Sequence, residues 1–475
     1  MTPDLLTVEV GSTITKVNAF VRSAGALEHV GQGFAPTSVA EGDVGIGVEA
    51  AYADLRDSSG LQTSGVETFV NSSAAGGLRM TVHGLTRSMT ARAAHEAALG
   101  AGGVVRLVTA GPLRESDLDD IRDAAPNIVL LAGGVDYGER DTVLHNAATL
   151  AGLGLTVPVV YAGNVAVRRQ VETLLRAAGL EILLADNVFP EVDVLEVEPL
   201  RALVHEVFNR HIVHAPGMAR LRELSTRTIL PTPGAVLLGA ELFAEAVGDC
   251  VILDVGGATT DVHSVTDGTR EWTARTVAPE PRAKRTVEGD LGVFVNAANV
   301  AEQAARTGGV VDVAAALADV RAMPRTEREQ QVTRWLCGYA VDTGVRRHAG
   351  VVTDLYTPTG RKHVVRGKDL TAVSWVVGTG GALTRVPGGE ELLHSVCRGA
   401  GKHLLPPPEA RVLIDRDYRF SALGTLAQAY PDEVRATFRR WVQSLGHDLG
   451  PDRDSAAASG PSSDASSDAA PQGRS

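Results

Sequence analysis

The chain has 475 residues, 44% of them hydrophobic, enough for sizeable cores and for roughly two to four domains. Its 45 basic and 57 acidic side chains leave a formal net charge of −12 with no Lys/Arg cluster, which argues against general nucleic-acid or anionic-membrane binding, since phosphate contacts need concentrated positive charge. The opening MTPDLLTVEV lacks a basic n-region, the longest apolar runs are far too short to span a bilayer, and Cys250, Cys337 and Cys397 form neither a disulfide framework nor a metal motif; a cytoplasmic protein with buried, reduced thiols is expected.

In chain order, residues 4 to 22 read as a hairpin: LLTVEV is β-rich, GST breaks it, and TKVNAFV alternates apolar with polar. NSSAAGGLRMTVHGLT then gives a glycine-rich loop and a strand, followed by an alanine-rich helix. From about 104 to 188 four strands alternate with three helices, each strand ending in Gly or Asn, which is the grammar of a parallel α/β layer. A helical stretch, 199 to 226, leads to a break at LPTPGAV and a helix before LDVGGATTDVHSV, 253 to 265. Beyond it, 286 to 345 reads as largely helical, 350 to 366 as a hairpin, and VSWVVGTGGAL as a strand entering a glycine turn. From Pro451 the chain is Ser, Ala, Asp, Gly and Pro without aromatics, and disorder is expected. The expected domains are therefore 1–103, an inserted α/β subdomain 104–198, a helical connection 199–233, a second lobe 234–450 and a tail 451–475.

The second hairpin repeats the first. At an offset of 245 positions Glu9 meets Asp254, Gly11 meets Gly256, Thr15 meets Thr260 and Val17 meets Val262. A turn of glycine and small hydroxyl residues can present backbone N–H groups and hydroxyls to phosphate oxygens with no bulky side chain between. Two such hairpins can grip one polyphosphate from opposite sides. The acids ending each first strand would repel it unless Mg²⁺, which takes oxygen ligands and bridges carboxylates to phosphates, lay between. Each motif alone is an ordinary turn more often than a site; their order and spacing make the case.

Acidic-strand hairpin, second acidic-strand hairpin, then the glycine turn GTGGAL resembles the layout of the actin, Hsp70 and sugar-kinase ATPase superfamily. Within it, VEVGSTITKVNAF, NSSAAGGLRMTVHGL, NIVLLAGGVDYG, VILDVGGATTDVHSV and RTVEGDLG, spread over about residues 5 to 425, resemble the MutL/GlmL accessory family of adenosylcobalamin-dependent glutamate mutase. The resemblance implies a two-lobed actin-like (ribonuclease H-like) α/β fold with an inserted parallel α/β subdomain. It implies Gly11, Ser12, Thr13 and Lys16 in a first phosphate loop, Asp254, Gly256, Gly257, Thr259 and Thr260 in a second, and Gly378, Thr379, Gly380 and Gly381 in an adenosine loop. Glu288, Gly289 and Asp290 would lie near the ribose, and Glu9 and Asp254 would be the catalytic, Mg²⁺-holding acids, acting through water. The superfamily usually has Asp where this chain has Glu9. ATP and Mg²⁺ are the implied cofactors, with no cobalamin motif, and mutase subunits are the implied partners. Hydrolysis would drive lobe closure and opening used to reactivate the mutase.

Three other functions compete. A small-molecule kinase needs a base beside an acceptor hydroxyl, and none is evident; an electron-transfer activator needs clustered cysteines, which are absent; a nucleotide-binding scaffold would never turn over. Plainer readings also stand: Lys16 as a solvated strand lysine, Asp136 as an Asx-turn residue, NSSAAGGLRM as either an anion contact or a crossover. His205, His211 and His214 lack acidic or Cys partners at ligand spacing.

Overall fold

A computed structural model describes residues 1–449 apart from 75–77, 88, 213–216, 308–311, 358–359 and 448. The expectation for the tail from Pro451, His214 and the middle of NSSAAGGLRM lie outside the described residues.

The first sheet begins with a meander, β1 (Leu5–Val10), β2 (Ile14–Ser23) and β3 (Ala26–Pro36), followed by α1 (Val44–Ser59) and β4 (Glu67–Ser72). All six residues of β1 are buried, as expected of a strand covered on both faces. The chain then leaves for the insertion: β5 (Arg79–Gly84), α2 (Thr90–Gly100), β6 (Val104–Ala110), α3 (Glu115–Asp123), β7 (Ile128–Leu131), α4 (Asp141–Ala151), β8 (Val159–Tyr161), α5 (Arg168–Ala177) and β9 (Ile182–Leu184). It returns through α6 (Glu198–Ile212) and α7 (Leu221–Leu224) to β10 (Leu230–Pro231), which joins the first sheet, and α8 (Thr232–Val247). The first sheet runs β10-β4-β1-β2-β3 and the inserted, all-parallel sheet β6-β5-β7-β8-β9.

The second sheet repeats the first. β11 (Cys250–Val255), β12 (Thr260–Val265), α9 (Arg270–Thr273) and β13 (Ala283–Glu288) precede a helical layer of α10 (Ala297–Thr307), α11 (Val313–Ala318) and α12 (Glu327–His348). A two-stranded arm, β14 (Val351–Thr357) and β15 (Gly360–Arg366), is followed by β16 (Trp375–Thr379), α13 (Gly381–Arg385), α14 (Gly389–His394), β17 (Arg411–Ile414), α15 (Arg419–Leu426) and α16 (Pro431–Ser444). Its order, β17-β16-β11-β12-β13, matches the first sheet position for position, with the first strand antiparallel to the second and parallel to the fourth in both. Two such meanders, each flanked by two parallel strands, make the actin-like, two-lobed architecture.

One arrangement differs from the sequence reading. The inserted sheet has five strands, and β5, which pairs with both β6 and β7, comes from the stretch assigned to the first lobe. A short apolar strand reads the same whichever sheet recruits it, and the two sheets share one core: Val8 and Val70 lie in one cluster with Val82, Ala94, Ala98, Ile128 and Val160.

The lobes meet over a second core in which Phe243 of α8, Trp375 of β16, Phe420 of α15 and Phe438 of α16 stack at 5.1 to 6.0 Å between ring centroids. Such pairs each contribute about 0.5–1.5 kcal/mol beyond the area they bury. Helices α8 and α15 approach so closely that a Cβ on Gly424 would lie 1.8 Å from the Ala235 carbonyl oxygen and one on Gly239 2.5 Å from that of Phe420. Cys250, Cys337 and Cys397 are buried and unpaired. Among the described residues no helix is long and apolar enough to cross a membrane.

Candidate functional site

The two hairpin turns are built alike. The Gly11 N–H donates to Ile14 O at 3.1 Å and the Gly256 N–H to Thr259 O at 2.9 Å. The ladders keep the same register: Glu9 stands opposite Lys16 and Val10 opposite Thr15, as Asp254 stands opposite Asp261 and Val255 opposite Thr260. Neighbouring loops pin the turns by their carbonyls, Thr37 holding Gly11 and Thr13, and Phe294 and Val295 holding Gly257. Among the described residues the N–H groups of Ser12, Thr13, Gly257 and Ala258 donate to nothing. The turns face each other, since a Cβ on Gly257 would sit 4.0 Å from the Thr13 hydroxyl. The fold thus brings two sets of unsatisfied donors, one per lobe, to a single gap.

The strand-end acids have unequal surroundings. Both oxygens of Glu9 are engaged, by the Lys16 ammonium at 2.5 Å and the Ser421 hydroxyl at 2.5 Å. Lys16 also lies 4.0 Å from the centre of the Tyr418 ring. Burial works to lower the Lys16 pKa, but Glu9, Tyr418 and Asp254 together hold it above the ordinary lysine value. The Asp254 carboxylate, by contrast, accepts no hydrogen bond among the described residues. Burial first, then the charges of Asp261, Glu9 and Asp415, push its carboxyl up to about 7 against the pull of Lys16. Lys16 is therefore held by Glu9 rather than solvated, and each Glu9 oxygen already accepts one donor.

A third strand-end acid, Asp415, follows β17. It accepts from the Arg419 N–H at 2.8 Å, the Phe420 N–H at 3.1 Å and the Thr379 hydroxyl at 3.2 Å, so it caps α15. Burial lifts it to about 6, with those backbone donors opposing. Sequence reasoning missed it, although an apolar run ending in Asp is the signal that marked Asp254; the following Arg-Asp-Tyr reads as a plain turn.

The remaining expected residues divide. Thr379 stands opposite Asp254 in the parallel ladder. Gly380 follows at φ +88°, where a Cβ would meet the Asp254 carboxylate oxygen at 2.4 Å. Gly381 is exposed at the start of α13, whereas Gly378 is buried against Leu383, Leu393 and Ile414 and packs as core. Thr259 donates to Asp261 at 3.0 Å, but the Thr260 hydroxyl is buried and spent on Leu291 O, so it faces away from the gap. Gly289 is exposed between Glu288 and Asp290, which share the Arg347 guanidinium at 2.6 and 2.7 Å. Asp136 accepts from the Val165 N–H at 2.8 Å and the Asn187 side chain at 2.9 Å, a loop tie on the inserted sheet.

Among the described residues no group of three or more His, Cys, Asp or Glu could cage a metal. One carboxylate with unfilled oxygens beside two sets of free N–H groups fits a hydrated Mg²⁺ carried in by phosphates rather than an all-protein site.

Residues 5–442 match the family described as MutL protein. The chain is 35% identical over 460 residues to Protein MutL of Clostridium tetanomorphum, covering 92% of this chain and 98% of that one. Among solved structures it is similar to a glycerol dehydratase reactivase (11% identity, 83% and 94% of the two chains, TM-score 0.33). It is similar also to component A of the (R)-2-hydroxyglutaryl-CoA dehydratase of Acidaminococcus fermentans (9%, 92% and 98%, TM-score 0.30). At such identities and scores the structural likenesses say nothing of what this chain binds.

Proposed function

The chain belongs to the MutL protein family, and on that premise we propose that it is a cytoplasmic ATP-binding and ATP-hydrolysing accessory protein that reactivates or assembles a cobalamin-dependent glutamate mutase. The observation that carries the nucleotide reading is the facing pair of turns, with the free N–H groups of Ser12 and Thr13 on one lobe and of Gly257 and Ala258 on the other. Backbone donors fixed in advance stabilise charge developing on a transferring phosphoryl group without reorganisation. Mg²⁺, when bound, neutralises phosphate charge and polarises the γ-phosphoryl group.

In this reading Asp254 is the acid that holds the hydrated ion, while Glu9 acts through Lys16, fixing its ammonium where its field reaches Asp254. Thr259, whose hydroxyl is held by Asp261, would meet the phosphates on displacement from it, and Gly380 and Gly381 leave room for the nucleoside. Glu288 and Asp290, tied by Arg347, border the cleft at the ribose end. A polyphosphate bridging both turns draws the lobes together, and its cleavage removes the bridge. That cycle supplies work to a partner; the family suggests a mutase holding inactivated cobalamin.

Steady-state ATP hydrolysis with and without the mutase subunits tests the proposal. Turnover that rises with the mutase supports it; turnover that responds instead to a small hydroxylated acceptor means a kinase, and nucleotide binding without turnover means a scaffold.

A further inference from the structure

Asp261 is shared between the phosphate turn and a helix of the insertion. Its Oδ2 accepts the Thr259 hydroxyl at 3.0 Å. Its Oδ1 accepts Arg285 twice, from Nε at 2.8 Å and Nη2 at 2.6 Å. The remaining arm of the same guanidinium, Nη1, donates to Leu99 O at 2.9 Å and Gly103 O at 3.4 Å, the carbonyls where α2 ends and β6 is about to begin. Arg285 and Asp261 are both buried. The residues Thr259, Asp261, Arg285 and Leu99 thus form one unbroken chain of hydrogen bonds from the second turn to the inserted sheet.

The contact is one of three along a single stripe of α2. Arg92 pairs with Glu280, and Glu96 reaches Lys284 at 3.2 Å, Lys284 in turn holding Glu280 at 2.9 Å. Positions 92, 96 and 99 recur at helical spacing, so one face of α2 lies along the segment entering and forming β13. Only the Arg285 contact continues into the phosphate turn. The planar guanidinium is suited to that place, because its fixed fork serves the carboxylate and the carbonyls at once; a lysine ammonium carries the charge but not the fork.

We propose that Arg285 couples occupancy of the second phosphate turn to the end of α2, so that the inserted α/β subdomain, and not the nucleotide lobes alone, changes state with bound nucleotide. This rests on the nucleotide reading above and adds to it the element that moves. Displacement of Thr259 by a phosphate shifts Asp261, Asp261 carries Arg285, and the helix end loses or gains its cap.

Amide hydrogen exchange on the full chain reads this directly. The N–H groups of Gly102, Gly103 and Val104 bond to Leu99, Ala98 and Leu78 and report opening at this junction. Saturating ATP with Mg²⁺ should change their exchange rates by about fivefold or more, the lower end of ordinary coupling between sites. R285K should still bind ATP and lose that difference, and D261N should lose it from the other end of the chain. An unchanged difference in the folded variants, or wild-type protein that binds ATP without any change at these three amides, overturns the coupling. Calorimetric titration of wild-type protein with ATP is run first: if no nucleotide binds, the nucleotide reading itself fails and takes the coupling with it, whereas binding without the exchange change sinks the coupling alone.

Discussion

Lys16 donates to Glu9 directly across the first ladder, and the equivalent rung of the second ladder sets Asp261 against Asp254. The same rung is neutralised within the first hairpin and left acidic in the second, where Arg285 serves Asp261 and, among the described residues, no donor serves the Asp254 carboxylate. The repeat therefore places its two strand-end acids in unlike surroundings, one paired and one open.

Asp254→Asn keeps the side chain's shape and removes its charge. Loss of one such electrostatic group costs ~10²- to 10³-fold in rate, about 2.7 to 4 kcal/mol. ATP binding should persist through the turn N–H groups. Single-turnover hydrolysis alongside equilibrium binding checks both; a variant hydrolysing at wild-type rate assigns the metal-holding role elsewhere.

Glu9 and Lys16 are paired with side chains 9% and 12% exposed. Lys16→Met leaves a carboxylate buried without its partner and should cost roughly 3–5 kcal/mol, much of it recovered in the Glu9→Gln, Lys16→Met double variant, where neither charge remains. Urea midpoints of the wild type and the two variants measure this. If the double variant is no more stable than Lys16→Met, the ammonium is contributing packing on Tyr418 and not charge.

The raised Asp254 carboxyl sets a pH dependence. Its folded pKa of about 7 lies above the unfolded value of about 3.9, so the folded chain binds the extra proton between those limits. This group's contribution to stability therefore falls as pH rises through that window and levels off above it. Hydrolysis that needs the ionised acid moves oppositely, with kcat/KM climbing through about pH 7, and Asp415, lifted to about 6, blends into the same limb. A pH–rate profile and its loss in the residual activity of Asp254→Asn test the assignment; a flat wild-type profile across roughly pH 6 to 8 refutes it.

Gly380→Ala places a methyl group against the Asp254 oxygen and the Val255 backbone at a φ of +88°. The strained backbone alone should cost on the order of 1–3 kcal/mol. Because the clash is with Asp254, hydrolysis should fall further than stability predicts. Comparing the change in melting with the change in kcat at a temperature where the variant is fully folded separates the two effects.

The hairpin repeat was legible because both halves of its signal, strand-end acid and glycine turn, are contiguous in sequence and the ladders keep them in register. The actin-like lobes followed from it. The partners of those residues were not legible: Ser421 and Tyr418 reach Glu9 and Lys16 from some 400 positions away, and nothing in Asp-Arg-Asp-Tyr marks Asp415 as a cap. The recruitment of β5 into the inserted sheet was hidden for a related reason, since the two sheets share one core and local pattern does not say which of them a strand joins. Lys16 shows the limit most plainly: the hairpin register sets it opposite Glu9, but nothing local announces the Tyr418 ring it meets.

The near contact of α8 with α15, backbone to backbone at Gly239 and Gly424, gives the molecule a bearing. Helices held at arm's length by interlocking side chains must climb over them to turn; these two carry no side chain at the points of closest approach, and so meet as smooth rods. They cannot come nearer, and the aromatic cluster around Phe243 resists their parting. Gly424 lies one helical turn beyond Ser421, which donates to Glu9 at the end of β1, so a displacement of α15 along α8 would be delivered to the first strand-end acid with no intervening element.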